Sequence, residues 1–184
     1  MTKDEMRDKL LDLIPELTHF HSDELRDMVI ATWIDACQTA GRDPGELVEM
    51  PFTLLVGECK VSFIQHTRAV TQTAMAIGDA LREAYSGEPR MHADHDTLLA
   101  GAILHDVGKV LEIGRDAAGR WVKTESGKLL RHPISGANLA FARGLPERVL
   151  HCIACHSKEG DGYRSTVEAI IINHADFVNF EPLH

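Results

Sequence analysis

The chain has 184 residues, 44% hydrophobic and 26% charged, which are ordinary values for one globular domain with a sizeable core. Its net charge of −9 argues against a general binder of nucleic acid or of anionic membranes. The acid is unevenly spread: residues 1–60 hold 13 acidic and 6 basic side chains, and the remainder 15 and 13, so the later part has room for a basic pocket and an anionic ligand.

The opening stretch, "MTKDEMRDKLLDLIPEL", is acidic and amphipathic and lacks the apolar core of a signal peptide. No run reaches transmembrane length, so no membrane partner is expected. Four cysteines, at 37, 59, 152 and 155, are too sparse for a disulfide framework, and a reducing cytoplasm is the default setting.

In chain order, "DEMRDKLLDLIPEL" predicts a first helix disturbed at Pro15. "SDELRDMVIATWIDACQTAG" predicts a second, with Ser22 as N-cap, Leu25, Val29, Trp33 and Ala36 on one stripe, and Gly41 as the stop. "GRDPGELVEMP" is a connection. Residues 1–50 read as an N-terminal helical extension, packed on the core or forming a dimer contact, and 51–184 as the domain that carries the chemistry.

Residues 61–85 predict a long helix with Phe63, Val70, Ile77 and Leu81 on one face, and 95–110 a third strong helix, after the polar turn "SGEPRMHADHD". Glycines at 114, 119 and 127 then break the pattern; the region 111–131 is compatible with a small β-hairpin, "RWVKT" and "KLLR" being its strands. Pro133 and Pro146 each suit the start of a helix. "STVEAIIINHADFVNF" opens with a capping box, Ser165 and Glu168. The expected class is all-α, a helical bundle with at most one hairpin.

Several His and Asp residues fall on the inward faces of these helices. His66 lies three after Phe63 and four before Val70; His105 and Asp106 lie seven after Leu98 and Leu99. His156 lies seven after Val149, and Asp176 four after Ile172. Any one of them alone has a bland explanation, as a hydrogen-bonded core histidine, a cap or a salt-bridge partner. Two inward Asp among several inward His are cheaper to explain if they share a cation, because a buried carboxylate without a partner is costly.

That combination resembles the HD-domain superfamily of metal-dependent phosphohydrolases. The resemblance rests on His66, the doublet His105-Asp106 in "LLAGAILHDVGKV", and Asp176 in "VEAIIINHADFV", and covers roughly residues 60–180. His132 in "RHPISGANLA" and His156 in "ACHSKEGDG" match the extra histidines of the branch that holds two metals. The resemblance implies an HD-domain helical bundle at 51–184. It places His66, His105, Asp106 and Asp176 on one divalent metal, and His132, His156 and Asp106 on the other, with Asp106 bridging. Imidazole and carboxylate together suit Fe or Mn first, with Zn, Ni, Co and Mg as further candidates.

The chain departs from the cyclic-di-GMP hydrolysing HD-GYP proteins, with Ser157 where they carry a further His, Ser62 where those with a third metal carry a Glu, and Arg164 in "GDGYRS" where Pro stands. Its C-terminal end looks closer to the HD module of ribonuclease Y.

"HCIACH", residues 151–156, also fits the C-x-x-C-H pattern of covalent haem attachment, or half of a zinc knuckle. Attachment of c-type haem normally follows export, and a zinc knuckle needs two more ligands, so neither is expected. His156 is assigned to the metal, Cys152 to packing beneath it, and Cys155 and His151 to another face.

The activity implied by the resemblance is hydrolysis of a phosphate ester, including nucleotides, by a hydroxide bridging the two metals. The substrate is then a small phosphorylated anion. Asp106 and Lys109 carry the chemistry, and Lys109, four after His105, is the leading phosphate anchor. Arg68, Arg131 and Lys158 are further substrate-binding candidates, with Lys128 and Arg164 behind them, and Trp121 could roof the site. Two other activities suit the same superfamily: a mixed-valent di-iron oxygenase, of which myo-inositol oxygenase is one, and a non-catalytic signalling module. A homo-oligomer is compatible with all three.

Overall fold

Reciprocal caps start several of the helices. Thr2 accepts the Glu5 N–H while the Glu5 carboxylate accepts the Thr2 N–H, and this opens α1 (Lys3–Leu13). The computed structural model describes residues 1–57 and 59–183. Pro15 ends the first helix and begins one 3-10 turn, Pro15–His19. The Ser22 hydroxyl accepts the Leu25 N–H at the start of α2 (Asp23–Thr39), and the chain leaves that helix through Gly41, whose φ of 62° favours a residue without Cβ. Ser62 and Gln65 form the reciprocal cap of α3 (Phe63–Ala84), and Asp94 caps α4 (His95–Leu104).

The helix expected over 95–110 is broken in two. After Leu104 the chain tightens into i→i+3 bonds, Val107 N–H to Leu104 and Lys109 N–H to Asp106, before α5 (Lys109–Glu112). The cause is tertiary. Gly108 lies directly against the start of a later helix, where an added Cβ would sit 2.1 Å from the His132 carbonyl oxygen. Local periodicity is blind to that contact.

The hairpin is present with other strands. β1 (Ile113–Arg115) pairs antiparallel with β2 (Trp121–Lys123), Gly114 opposite Val122. "KLLR" is not a strand: the Thr124 hydroxyl accepts the Gly127 N–H and begins the short α6 (Glu125–Leu129), whose Leu129 is 85% exposed with no sheet face to bury it. Pro133 sits in the first turn of α7 (His132–Ala142), and Pro146 precedes α8 (Glu147–Cys155).

The last helix, α9 (Val167–Phe180), is capped by Thr166, which accepts the Ala169 N–H, and not by Ser165. Glu168 does not complete a capping box. It is buried, accepting the Asp94 N–H and pairing with Arg148, and those partners hold it away from the helix start.

α4 is buried from Thr97 to Leu104 and is apolar all round, as a central helix must be. α3, α8 and α9 pack around it, and α7 packs on α8. One apolar cluster joins Met6, Leu10, Leu17, Val29 and Trp33 to Phe63, Leu99, Ile103 and Val149, so the first fifty residues share a core with the rest. A second, with Val70, Leu98, Ala102, Cys152, Ala169 and Ile172, lies between α3, α4, α8 and α9. The architecture is all-α with one small hairpin. No helix among the described residues is long and apolar enough to cross a membrane.

Candidate metal centre

Helix ends bring the expected side chains together. His66 comes from the first turn of α3, His105 and Asp106 from the break after α4, His132 from the first residue of α7, and His156 from the end of α8. Asp176 faces them from α9. All are buried except Asp176, whose side chain is 15% exposed.

The two oxygens of Asp106 face different neighbours. Oδ2 lies 3.4 Å from His66 Nε2 and 3.3 Å from His105 Nε2. Asp176 Oδ1 closes that group, 3.1 Å from His66 Nε2 and 3.9 Å from His105 Nε2. Oδ1 of Asp106 lies 3.2 Å from His132 Nε2 and 3.5 Å from His156 Nε2, and those two nitrogens are 3.3 Å apart. In each of two sets, His66–His105–Asp176 and Asp106–His132–His156, the possible ligand atoms lie within 4.8 Å of one another.

The residues fit a cation in each set. His66 Nε2, His105 Nε2 and both Asp106 oxygens are buried with no hydrogen-bond partner. The short contacts around Asp106 are close in distance but misdirected as hydrogen bonds; the neighbouring charges, Lys109 first, offset the burial of its charge, while the hydrogen-bonding demand of both oxygens stays unmet. Two histidines are held with Nε2 inward: Nδ1–H of His105 donates to the Ala102 carbonyl at 2.7 Å and that of His156 to the Ile153 carbonyl at 2.8 Å. Imidazole nitrogens with carboxylate oxygens are the donor set of divalent first-row metals.

Electrostatics keep the carboxylates charged. Burial pushes Asp106 up, but the Lys109 and His105 charges outweigh it and hold it well below the usual carboxylate range. Burial opposes Asp176 likewise, and the His66 imidazole 3.1 Å away and the His105 charge hold it at about 2. Burial alone lowers His66, yet the Asp106 and Asp176 carboxylates raise it above its ordinary value.

Glu112 was not foreseen from the sequence. Its Oε2 accepts the His132 backbone N–H at 2.8 Å and faces His132 Nδ1 at 3.0 Å, turning Nε2 of that ring toward Asp106. Burial raises the Glu112 carboxyl, but His132 and Lys123 outweigh that and bring it to about 2. The available signal was a carboxylate seven residues after His105, set between Val110, Leu111 and Ile113.

A cavity of about 550 Å³ opens over this centre. His66, His132 and Asp176 line it, together with Lys109, Lys123, Arg131 and Lys158. Lys109 Nζ is 2.5 Å from Asp106 Oδ2. Arg131 is braced by Glu159 at 3.4 Å, and Lys158 makes no ion pair among the described residues. Arg68 is elsewhere: it pairs with the buried Glu16 at 3.1 Å and does not line the cavity. Lys128 pairs with Glu125, and Arg164 binds the Cys155 and Ser157 carbonyls. Lys123 is a lining cation that the sequence reading passed over.

Trp121 does not roof the site. The Arg42 and Arg115 guanidiniums lie over its ring, 5.3 and 4.0 Å from the ring centre, and it takes no part in the cavity wall. Phe52 covers the centre instead, its ring 4.6 Å from that of His66.

Within "HCIACH" only His156 joins the centre. Cys152 is fully buried and burial pushes its thiol up to about 12, the wrong direction for a metal-binding thiolate. Cys155 Sγ sits 3.6 Å from His151 Nδ1, and no cysteine among the described residues belongs to a convergent ligand group.

A family model described as "HD domain" matches residues 63–179. A curated relative, the dihydroneopterin 2′,3′-cyclic phosphate phosphodiesterase of Methanocaldococcus jannaschii, is 31% identical over 114 residues, covering 61% of this chain and 44% of that protein. The chain therefore spans less than half the length of that relative. No solved structure matches it.

Proposed function

The chain belongs to the HD-domain family, and from that premise we propose that it is a metal-dependent phosphohydrolase with a dinuclear centre. His66, His105, Asp106 and Asp176 would hold one divalent cation, and Asp106, His132 and His156 the other. The observation that carries this reading is the pair of buried ligand sets meeting at Asp106, with both of its oxygens and two inward imidazoles unsatisfied.

Two divalent cations supply Lewis acidity toward a phosphate oxygen and an activated water. The chain's own residues do the rest. Asp106 offers one oxygen to each set, and Glu112 fixes the His132 ring. Lys109, at the edge of the cavity beside Asp106, places an ammonium where a phosphate oxygen would gather charge. Lys123, Arg131 and Lys158 make the rest of the wall attractive to an anion, in a protein that is otherwise acidic.

The substrate is a small phosphate ester of nucleotide size. The relative's named activity on a cyclic phosphodiester supports a diester among the candidates, and the cavity suits a drug-sized ligand, for which roughly 300–1,000 Å³ is usual. Fe and Mn are the leading metals. The four free cysteines support a reducing, cytoplasmic setting. The oxygenase reading draws on the same ligands, but the cationic wall favours phosphate.

Elemental analysis of protein purified anaerobically and reconstituted should approach two equivalents of metal, and a panel of phosphomonoesters and phosphodiesters should contain a substrate. One equivalent or less, under conditions that load a known dinuclear protein, overturns the dinuclear centre. Oxygen uptake with an organic substrate and no ester cleaved would replace the hydrolase.

A further inference from the structure

The cations of the cavity wall come from α5, β2, the start of α7 and the 3-10 turn Lys158–Gly160. The segment just before α3 and the outer part of α9 contribute something different: Phe52, Leu54, Leu55 and Phe177 line the same cavity. Leu54 is 40% and Leu55 74% exposed at its rim, where large apolar side chains gain nothing from the protein itself.

This side offers almost nothing to a hydroxyl. Thr53 is the one lining residue of the 52–55 stretch with a polar side chain; its oxygen accepts the Leu55 N–H, which leaves a single hydroxyl for a ligand. A polyol placed here would lose water from several hydroxyls and find one replacement partner at most. A flat ring would exchange water for contact with Leu54, Leu55 and the partly exposed Phe177 ring, above a floor made by Phe52, which is 1% exposed and packed on His66.

We propose that Leu54, Leu55 and Phe177, over the buried edge of Phe52, form a subsite for an aromatic ring system, so that the substrate is a single phosphate ester whose organic part is flat and aromatic. This rests on the phosphohydrolase reading above and names the substrate class within it. The aromatic part takes the 52–55 segment and α9, and the phosphate takes the Lys109 side.

The test uses pairs that share the reacting group and differ in the ring. Adenosine 2′,3′-cyclic phosphate is set against glycerol 1,2-cyclic phosphate, and adenosine 5′-monophosphate against ribose 5-phosphate, all with the metal-loaded chain. The aromatic member should have the higher kcat/KM by about tenfold or more, in line with the known worth of stacking a base on an aromatic side chain. Phe177→Ala should cut that ratio by about tenfold, mainly through KM of the aromatic ester. Leu55→Asp, at an exposed position, should cut it too and guards against a Phe177 variant that fails to fold.

Calorimetric binding of adenosine 5′-monophosphate and ribose 5-phosphate gives a readout independent of turnover. Both pairs cleaved with equal kcat/KM, or a ratio that neither variant moves, overturns the subsite and leaves the hydrolase standing. No ester cleaved, with adenosine 5′-monophosphate still binding at least tenfold tighter, supports the subsite and overturns the hydrolase. Equal binding of the two monophosphates overturns the subsite whatever the turnover.

Discussion

Two His–Asp clusters in this chain have the same ingredients and opposite physics. His21, His95 and Asp96 also bring possible ligand atoms within 4.8 Å of one another. There the imidazoles stack at 4.2 Å, His21 is 77% exposed, and Asp96 is fully employed: it accepts the N–H groups of His21 and Ser22 and faces His95 Nδ1 at 2.8 Å. That carboxylate ties the entry to α2 onto the first turn of α4. Around Asp106 the same residue types are buried and unsatisfied. The difference teaches that residue type and proximity do not distinguish a structural clamp from a metal centre; the unmet demand of buried atoms does.

The largest effect that could break this comparison is at Asp106. Asp106→Ala should lose nearly all bound metal by elemental analysis, and turnover should fall to background. The metal-free variant should also melt below the metal-free parent, because the largely buried Lys109 ammonium loses its partner 2.5 Å away. Metal retained at the parental level would show that Asp106 is no more a ligand than Asp96.

Chelation should lower the melting temperature of the parent. Metal at about a hundred times its dissociation constant contributes about 2.7 kcal/mol, which for a domain of this size is roughly 5–11 °C. The shift should persist in His95→Ala, because the outer cluster takes no part in it. A shift abolished by His95→Ala would move the metal to the surface.

Lys109→Ala sharpens the comparison inside the centre. It leaves every ligand in place, so metal content should hold while turnover efficiency drops roughly tenfold to a thousandfold. Were the variant to arrive without metal, Lys109 would be structural and the phosphate role wrong.

Glu112→Gln should weaken metal affinity by roughly tenfold to a hundredfold, the usual cost of losing a carboxylate behind a ligating imidazole. Competition with a chromophoric chelator measures it, and an unchanged affinity would reduce Glu112 to a packing residue. The smallest effect belongs to Cys155→Ser: metal content and turnover should both hold, and loss of metal from the folded variant would revive a thiolate site.

Much of this was legible before any fold was in hand. Helical spacing put His66, His105, Asp106, His156 and Asp176 on inward faces, and caps and prolines marked α2, α7 and α8 close to their observed ends. Other features were not legible. The break between α4 and α5 follows from Gly108 against the His132 carbonyl, residues far apart in sequence. Arg68 shares the first two turns of α3 with His66, and only the packing of Glu16 against it takes its charge away from the cavity. Glu168 looked like half of a cap until Asp94 and Arg148 were found to claim it.

The sequence by itself determined which residue types face inward and where helices start, because both depend on side chains three or four positions apart on one turn of chain. Spacing along the chain did not divide those residues into two sets; the family resemblance implied the division, and in the tertiary structure His66 and His105 lie near one oxygen of Asp106 and His132 and His156 near the other. Only the tertiary structure decided that Glu112 stands behind His132 and that Phe52, not Trp121, covers the centre. Those meetings depend on how helices far apart in the chain cross, and the crossing is fixed by the burial of whole apolar faces, to which a single histidine or carboxylate contributes almost nothing.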